Sequence, residues 1–198
     1  SIIKYFAQLA ANNPNMIDSL FTPRRCVIHS TAVGEYVRDH RKDFLHKGAW
    51  FRFKGYAYSQ MQKIEGKTNS KNPKRLEAIQ NHGYDVKFGY HLVRLLLEVE
   101  QILLEGDIDL ERGREQLKAI RRGDVSLDEL KQWFVDKERA LETVYAESKL
   151  QHVPDMVLLQ AHLLHCLEMH YGSLDNAIKV DNSNQIMLEL QRIVRTYS

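Results

Sequence analysis

Between Gly83 and Gly106 the chain carries a stretch of about 20 residues that only a long, anchored helix satisfies. Val86, Val93, Leu96 and Leu97 fall on sides of that helix that can enter a core, and Gly106 supplies a left-handed stop after Glu105. On another face, Lys87, His91 and Arg94 follow at spacings of four and three, so all three project together. A cationic stripe on an anchored helix can hold a phosphate or polyphosphate, with lysine as a point charge and arginine as a two-pronged donor. The same spacing also fits an ordinary solvated face.

The rest of the sequence reads as helix too, which gives a mostly α fold class. A short amphipathic helix over 2 to 11 stops at Asn12-Asn13-Pro14-Asn15, since proline disfavours helix at the residue before it. Further helices are expected over 16 to 20, over 31 to 46 with Thr31 as cap, and over 49 to 64 through Gly55. Glu65 to Lys74 is the clearest loop and is strongly basic, with Lys67, Lys71, Lys74 and Arg75 in or beside it. Helices over 84 to 105, 111 to 121, 126 to 149 and 155 to 171 follow, the third opened by the capping pattern Ser126-Leu127-Asp128-Glu129. One more helix is expected after Asp181. Only Cys26 to Ser30 has any strand character.

At 198 residues the chain is long enough for one real core, and its formal charge of +2 means that any basic site must be local. Cys26 and Cys166 form no pair motif, so no disulfide framework is expected. Charges interrupt every apolar run, and Ser1-Ile2-Ile3-Lys4 does not open a signal peptide. The expectation is a cytoplasmic protein with no membrane partner.

Several short motifs occur in one order: Asn13-Pro14-Asn15 with Leu20-Phe21, Phe44-Leu45, Gly55-Tyr56-Ala57 with Gln60, then Lys87-x-x-x-His91-Leu92-x-Arg94-Leu95-Leu96, Leu104-x-Gly106 and Ile120-Arg121-Arg122-Gly123. Over about residues 1 to 145 this order resembles the C-terminal portion of a predicted nucleotidyltransferase family of the DNA polymerase β superfamily. That family is found in bacteria and phages and is linked to RNA repair. The resemblance divides the chain into 1 to 150, the helical portion of a nucleotidyltransferase-like protein, and 151 to 198, additional C-terminal helices.

Superfamily members bind two metal ions, magnesium or manganese, through an Asp-x-Asp pair after a Gly-Ser loop, and the metals align a triphosphate for in-line attack. In the family that machinery lies on an α/β sheet preceding the segment like Ser1 to Phe6, so this chain is expected to bind no metal alone. Asp107-Ile108-Asp109 imitates the pair but follows a helix end rather than a Gly-Ser loop. The resemblance thus implies a helical partner for a catalytic sheet, supplied by an N-terminal part or another chain, with a nucleoside triphosphate and RNA as ligands. The other reading is a non-catalytic nucleic-acid-binding or protein-interaction module.

Under the first reading Lys87 and Arg94 contact phosphate, and His91 between them donates to a phosphate or ribose oxygen, kept neutral by its cationic neighbours. Tyr58 and Gln60 face the base, by stacking and by an edge hydrogen bond, or else pack as ordinary helix residues. Lys67, Lys71, Lys74 and Arg75, with Arg24, Arg25, Arg38, His40, Arg41 and Lys42, form a candidate phosphate-tracking surface for RNA. Glu111 to Arg122 is a mixed-charge helix suited to water or a partner subunit. His162, Cys166 and His170 share one side of a helix but span about 12 Å along it, too far for one zinc, so satisfied histidines on a partly buried helix are expected.

Overall fold

The helix α6, Val86–Glu105, is the axis of the molecule. A computed structural model describes residues 1–66 and 72–177, and among the described residues there are helices and turns but no strand. Asp85 caps α6 by accepting the Lys87 amide at 3.0 Å, and Gly106, at φ 60°, donates its amide to the Ile102 carbonyl at 2.9 Å. Leu92, Leu96, Val99 and Ile102 are fully buried, because α6 meets neighbours on several sides. α4 (Ala49–Glu65) lies along one side, while α7 (Arg114–Arg122) and α8 (Leu127–Glu147) cover others.

Close approach to α8 needs a glycine at position 89. A Cβ there would stand 2.7 Å from Tyr84 Cε2 and 3.1 Å from Leu130 Cδ2. Tyr84 is itself fixed, buried to 1% exposure with its hydroxyl donating to the Val125 carbonyl at 3.0 Å. α8 starts where the sequence indicates: Ser126 and Glu129 form a complete capping box.

The N-terminal helices make a second layer. α1 (Ile2–Ala10) turns into α2 (Pro14–Leu20) through Asn12, whose φ of 49° suits asparagine and whose Nδ2 donates to the Leu9 and Phe44 carbonyls at 3.2 and 2.8 Å. α2 begins at Pro14, two residues before the expected start at 16, since proline is favoured at the first helical position once Asn13 caps it.

The expected helix over 31 to 46 is divided. α3 (Ala32–Asp39), capped by Thr31, ends at His40, whose ring Nδ1 bonds the Tyr36 carbonyl at 2.8 Å, and Arg41–Phe44 forms a separate 3₁₀ turn that inserts Phe44 into the core. Cys26 to Ser30 is not a strand. Arg24–Cys26 is a 3₁₀ turn, and Ile28 beyond it is fully exposed.

A helix absent from the sequence reading, α5 (Pro73–His82), precedes α6 and packs on it. α9 (Met156–Tyr171) packs on α1 and α3 and contributes Leu159 and Cys166 to the main core, so the described part of residues 151 to 198 joins the same interior. A short α10 (Leu174–Ala177) follows, and the helix expected after Asp181 lies outside the described residues. No described helix is long and apolar enough to cross a membrane.

Candidate phosphate-binding cleft

The stripe on α6 opens into a cleft of about 360 Å³. α6 contributes Lys87, Phe88, His91, Arg94 and Leu95, while α4 brings Tyr56, Ser59, Gln60 and Lys63. Arg75 enters from α5 and Asn15 from α2. Four of the lining residues are lysine or arginine, and among the described residues no carboxylate lines the cleft.

Phe88 sets the positions of two cations. Lys63 Nζ lies 5.5 Å and the Arg75 guanidinium carbon 5.2 Å from its ring centroid, so both are held by the ring's negative face. Arg75 Nε also stands 3.7 Å from the buried Asp85 carboxylate, which caps α6. Lys87 is exposed, and among the described residues its ammonium makes no ion pair. Burial, and after it the charges of Lys87, Arg121, Lys63 and Arg75, push the His91 imidazole below its ordinary range. His91 is therefore neutral near pH 7 and offers one N–H donor and one acceptor.

Arg94 lines the cleft as well, and it has carboxylate partners of its own. It is mostly buried at the floor of the cleft and is ion-paired with Asp18, with Glu98 at 3.4 Å. Burial pushes the Glu98 carboxyl up to about 7 although Arg94 pulls it down. The ion pair with Asp18 engages the charge of Arg94, while Arg94 Nε, Asp18 Oδ1 and Glu98 Oε2 are buried with no hydrogen-bond partner among the described residues.

Gln60 lies in the cleft, with its Nε2 3.5 Å from the Tyr56 carbonyl one turn back. Tyr58 does not. It points to the opposite side of α4, where its hydroxyl donates to Glu138 at 2.7 Å and its ring meets Phe134 edge-on at 5.2 Å. Tyr56 takes the place in the cleft given to Tyr58, and the register Tyr56, Ser59, Gln60, Lys63, with spacings of three, four and seven from Tyr56, is the signal that marks this face.

Of the basic loop, Lys67 and Lys71 lie outside the described residues, as does the side chain of Lys74, which sits in the first turn of α5. Arg75 belongs to the cleft wall.

The other basic positions make internal contacts in the structure. Arg24 pairs with Glu35, Arg25 with Glu111, and Lys42 with Asp107 at 2.5 Å. Arg38 donates to the Leu20 and Thr22 carbonyls at 3.2 and 2.8 Å, and Arg41 lies over the Phe21 ring while donating to the Arg38 carbonyl.

Asp107 and Asp109 hold the loop after α6 together. Burial raises the Asp107 carboxyl, but Lys42 and the Ile108 amide outweigh it and hold the group below its ordinary value. Asp109 accepts the Glu111 amide at 2.9 Å. No group of three or more His, Cys, Asp or Glu side chains among the described residues is arranged to hold a metal.

His162 on α9 is a satisfied buried histidine, bonded to the Tyr36 hydroxyl at 2.7 Å and to Asp43 at 3.0 Å. Cys166 is buried, its thiol pushed up by that burial, and His170 is exposed against Tyr171.

The model of one protein family, RlaP, described as the RNA repair pathway DNA polymerase beta family, matches residues 1–185. The match reaches well past the portion over which the motifs line up and takes in α9. No curated protein and no solved structure matches the chain.

Proposed function

This chain belongs to the RNA repair pathway DNA polymerase beta family, and from that membership we propose that it is the helical, C-terminal portion of a bacterial or phage nucleotidyltransferase-like protein. Its cleft between α4, α5 and α6 holds the phosphates of a nucleoside triphosphate or of an RNA end. The observation that carries this reading is the lining: Lys63, Arg75 and Lys87 converge on a space that no carboxylate among the described residues enters, beside a histidine whose pKa is depressed by burial and then by their charges.

The division of labour follows from the contacts. Lys63 and Arg75, fixed on Phe88, are oriented before a ligand arrives, which lowers the ordering cost of binding. Lys87, exposed at the mouth, adds a mobile point charge. Neutral His91 donates to a phosphate or ribose oxygen, and Tyr56, Ser59 and Gln60 face the sugar and base. Arg94, balanced by Asp18 and Glu98, is a positioning residue that ties α6 to α2 under the site.

The family implies magnesium or manganese, which would polarise a triphosphate for attack. The described residues do not fit that role: Asp107 is paired with Lys42, and Asp109 is turned to its own loop. No transfer step is therefore assigned to this chain's residues, and the metal-binding carboxylates belong to a catalytic sheet domain, from the same protein or another chain.

Calorimetric titration of the 198-residue chain with ATP tests the reading. Lys87→Ala should weaken binding by about 1 to 2 kcal/mol, the scale of one charge-assisted contact. Lys131→Ala, which removes a surface partner of Glu65 on α8, should leave it unchanged. Absence of binding by the native chain, or equal losses in the two variants, would overturn it.

A further inference from the structure

A second basin lies across α6 from the cleft. It has a volume of about 430 Å³, a floor of Leu110 and Leu117, one wall formed by Tyr90, and a rim of α7 cations. Arg114, Lys118 and Arg121 fall at spacings of four and three, so they share the exposed edge of that helix, while Leu117 and Ile120 bury its other side. The mixed-charge pattern of 111 to 122 thus resolves into a cationic face. Glu111 lines the basin as well and is paired with Arg25, while beside it Glu115 pairs with Lys118 and Asp124 with Arg122. Such exposed pairs are weak enough to be exchanged for phosphate.

The two basins meet at one ridge. The Arg121 guanidinium lies 5.6 Å from the Tyr90 ring centroid, and the Tyr90 ring is edge-on to His91 at 5.4 Å. Arg121 also acts directly on His91, where it is one of the charges that depress the imidazole. A cation lying on an aromatic ring, above an aliphatic floor and beside further cations, is the combination that stacks a base and tracks its backbone in single-stranded nucleic acid.

We infer that the α7 face is a second nucleotide subsite, which receives single-stranded RNA continuing from the phosphate held in the α4–α6 cleft. The inference rests on the proposed function for its direction, since the cleft supplies the end from which the strand runs. In it, a base stacks on Tyr90 in the place the Arg121 guanidinium now takes, over Leu110 and Leu117, and the displaced Arg121 joins Arg114 and Lys118 in contacting the adjoining phosphates.

The test compares two ligands on the full chain: ATP, which fills only the cleft, and a short fluorescent single-stranded oligoadenylate, which reaches both basins. Arg114→Gln with Lys118→Gln, both exposed, should weaken the oligonucleotide and leave ATP unaffected. The salt dependence of oligonucleotide binding should fall by roughly 0.7 in slope for each phosphate contact removed. Tyr90→Leu, which keeps an apolar side chain against the core, should cost about fivefold or more for the oligonucleotide through lost stacking. Unchanged oligonucleotide affinity in the Arg114→Gln, Lys118→Gln variant overturns the subsite. So does equal competition by polyglutamate, which would mark the face as a site for acidic protein. Lys87→Ala separates the two readings: if it leaves ATP binding intact while the α7 variants weaken the oligonucleotide, the cleft assignment fails and the RNA-binding face stands.

Discussion

Replacing Glu98 by Gln should flatten the dependence of stability on pH, by an amount that the environment of the carboxyl sets. Glu98 is 3% exposed, and burial raises it from 4.5 to about 7 despite Arg94 at 3.4 Å. In the unfolded chain the same carboxyl titrates near its ordinary value, so between the two values the folded state holds a proton that the unfolded state has released. For a raised pKa, the stabilisation is complete below 4.5 and is lost as pH rises to about 7, beyond which the loss is constant. At about 1.4 kcal/mol per pH unit, the gap corresponds to a loss of about 3 kcal/mol. Most of it, about 2 to 3 kcal/mol, falls between about pH 5 and pH 8. Urea unfolding of the native chain and of Glu98→Gln across that range measures the difference. Native stability should decline relative to the variant as pH rises. Parallel profiles would refute the reasoning and place the proton on a group other than Glu98.

Other consequences of the structure are as direct. Gly89→Val should destabilise the fold by about 1 to 3 kcal/mol in urea unfolding, because the Tyr84 ring and Leu130 occupy the space its Cβ needs; no loss would refute that contact. Ser126→Ala, which removes one half of the α8 capping box, should cost about 1 kcal/mol by the same measurement, and Glu129→Gln should cost less. Since His91 gains its proton only below its ordinary range, affinity for inorganic triphosphate should rise as pH falls toward about 5. That rise should vanish in His91→Gln, and a rise that survives in the variant would assign it to another group.

Much of this architecture is legible because caps and periods act locally. Asp85, Gly106 and Ser126 with Glu129 define α6 and α8 from within a turn of each boundary. The helix over 31 to 46 fails for a tertiary reason: Phe44 is drawn into the core beside Phe6, and the chain must leave helical geometry at His40 to deliver it. α5 is not legible in the sequence because Pro73 reads as a loop residue, although proline is equally at home in a helix's first turn.

At the site, the spacing of Lys87, His91 and Arg94 correctly placed three side chains on one face, but spacing carries no information about what approaches from other elements. Asp18 reaches Arg94 from α2, far away in sequence, and pairs with its guanidinium. Tyr58 and Tyr56 differ by only two positions, and the rotation of α4 that separates them is fixed by the burial of Trp50, Phe53 and Ala57. The basin on α7 was hidden for a related reason: its charges read as mixed until the pairing of Glu111 with Arg25 is seen.

The most direct measurement of the central claim is an NMR titration of the His91 ring with inorganic triphosphate. His91 lies in the cleft, and Lys87, Lys63, Arg75 and Arg121 add to the burial that depresses it, so an anion bound there cancels part of their field. The account predicts saturable shifts of the His91 ring signals and an upward move of its pKa in the bound state. Triphosphate binding that leaves the His91 resonances and pKa where they were would contradict it.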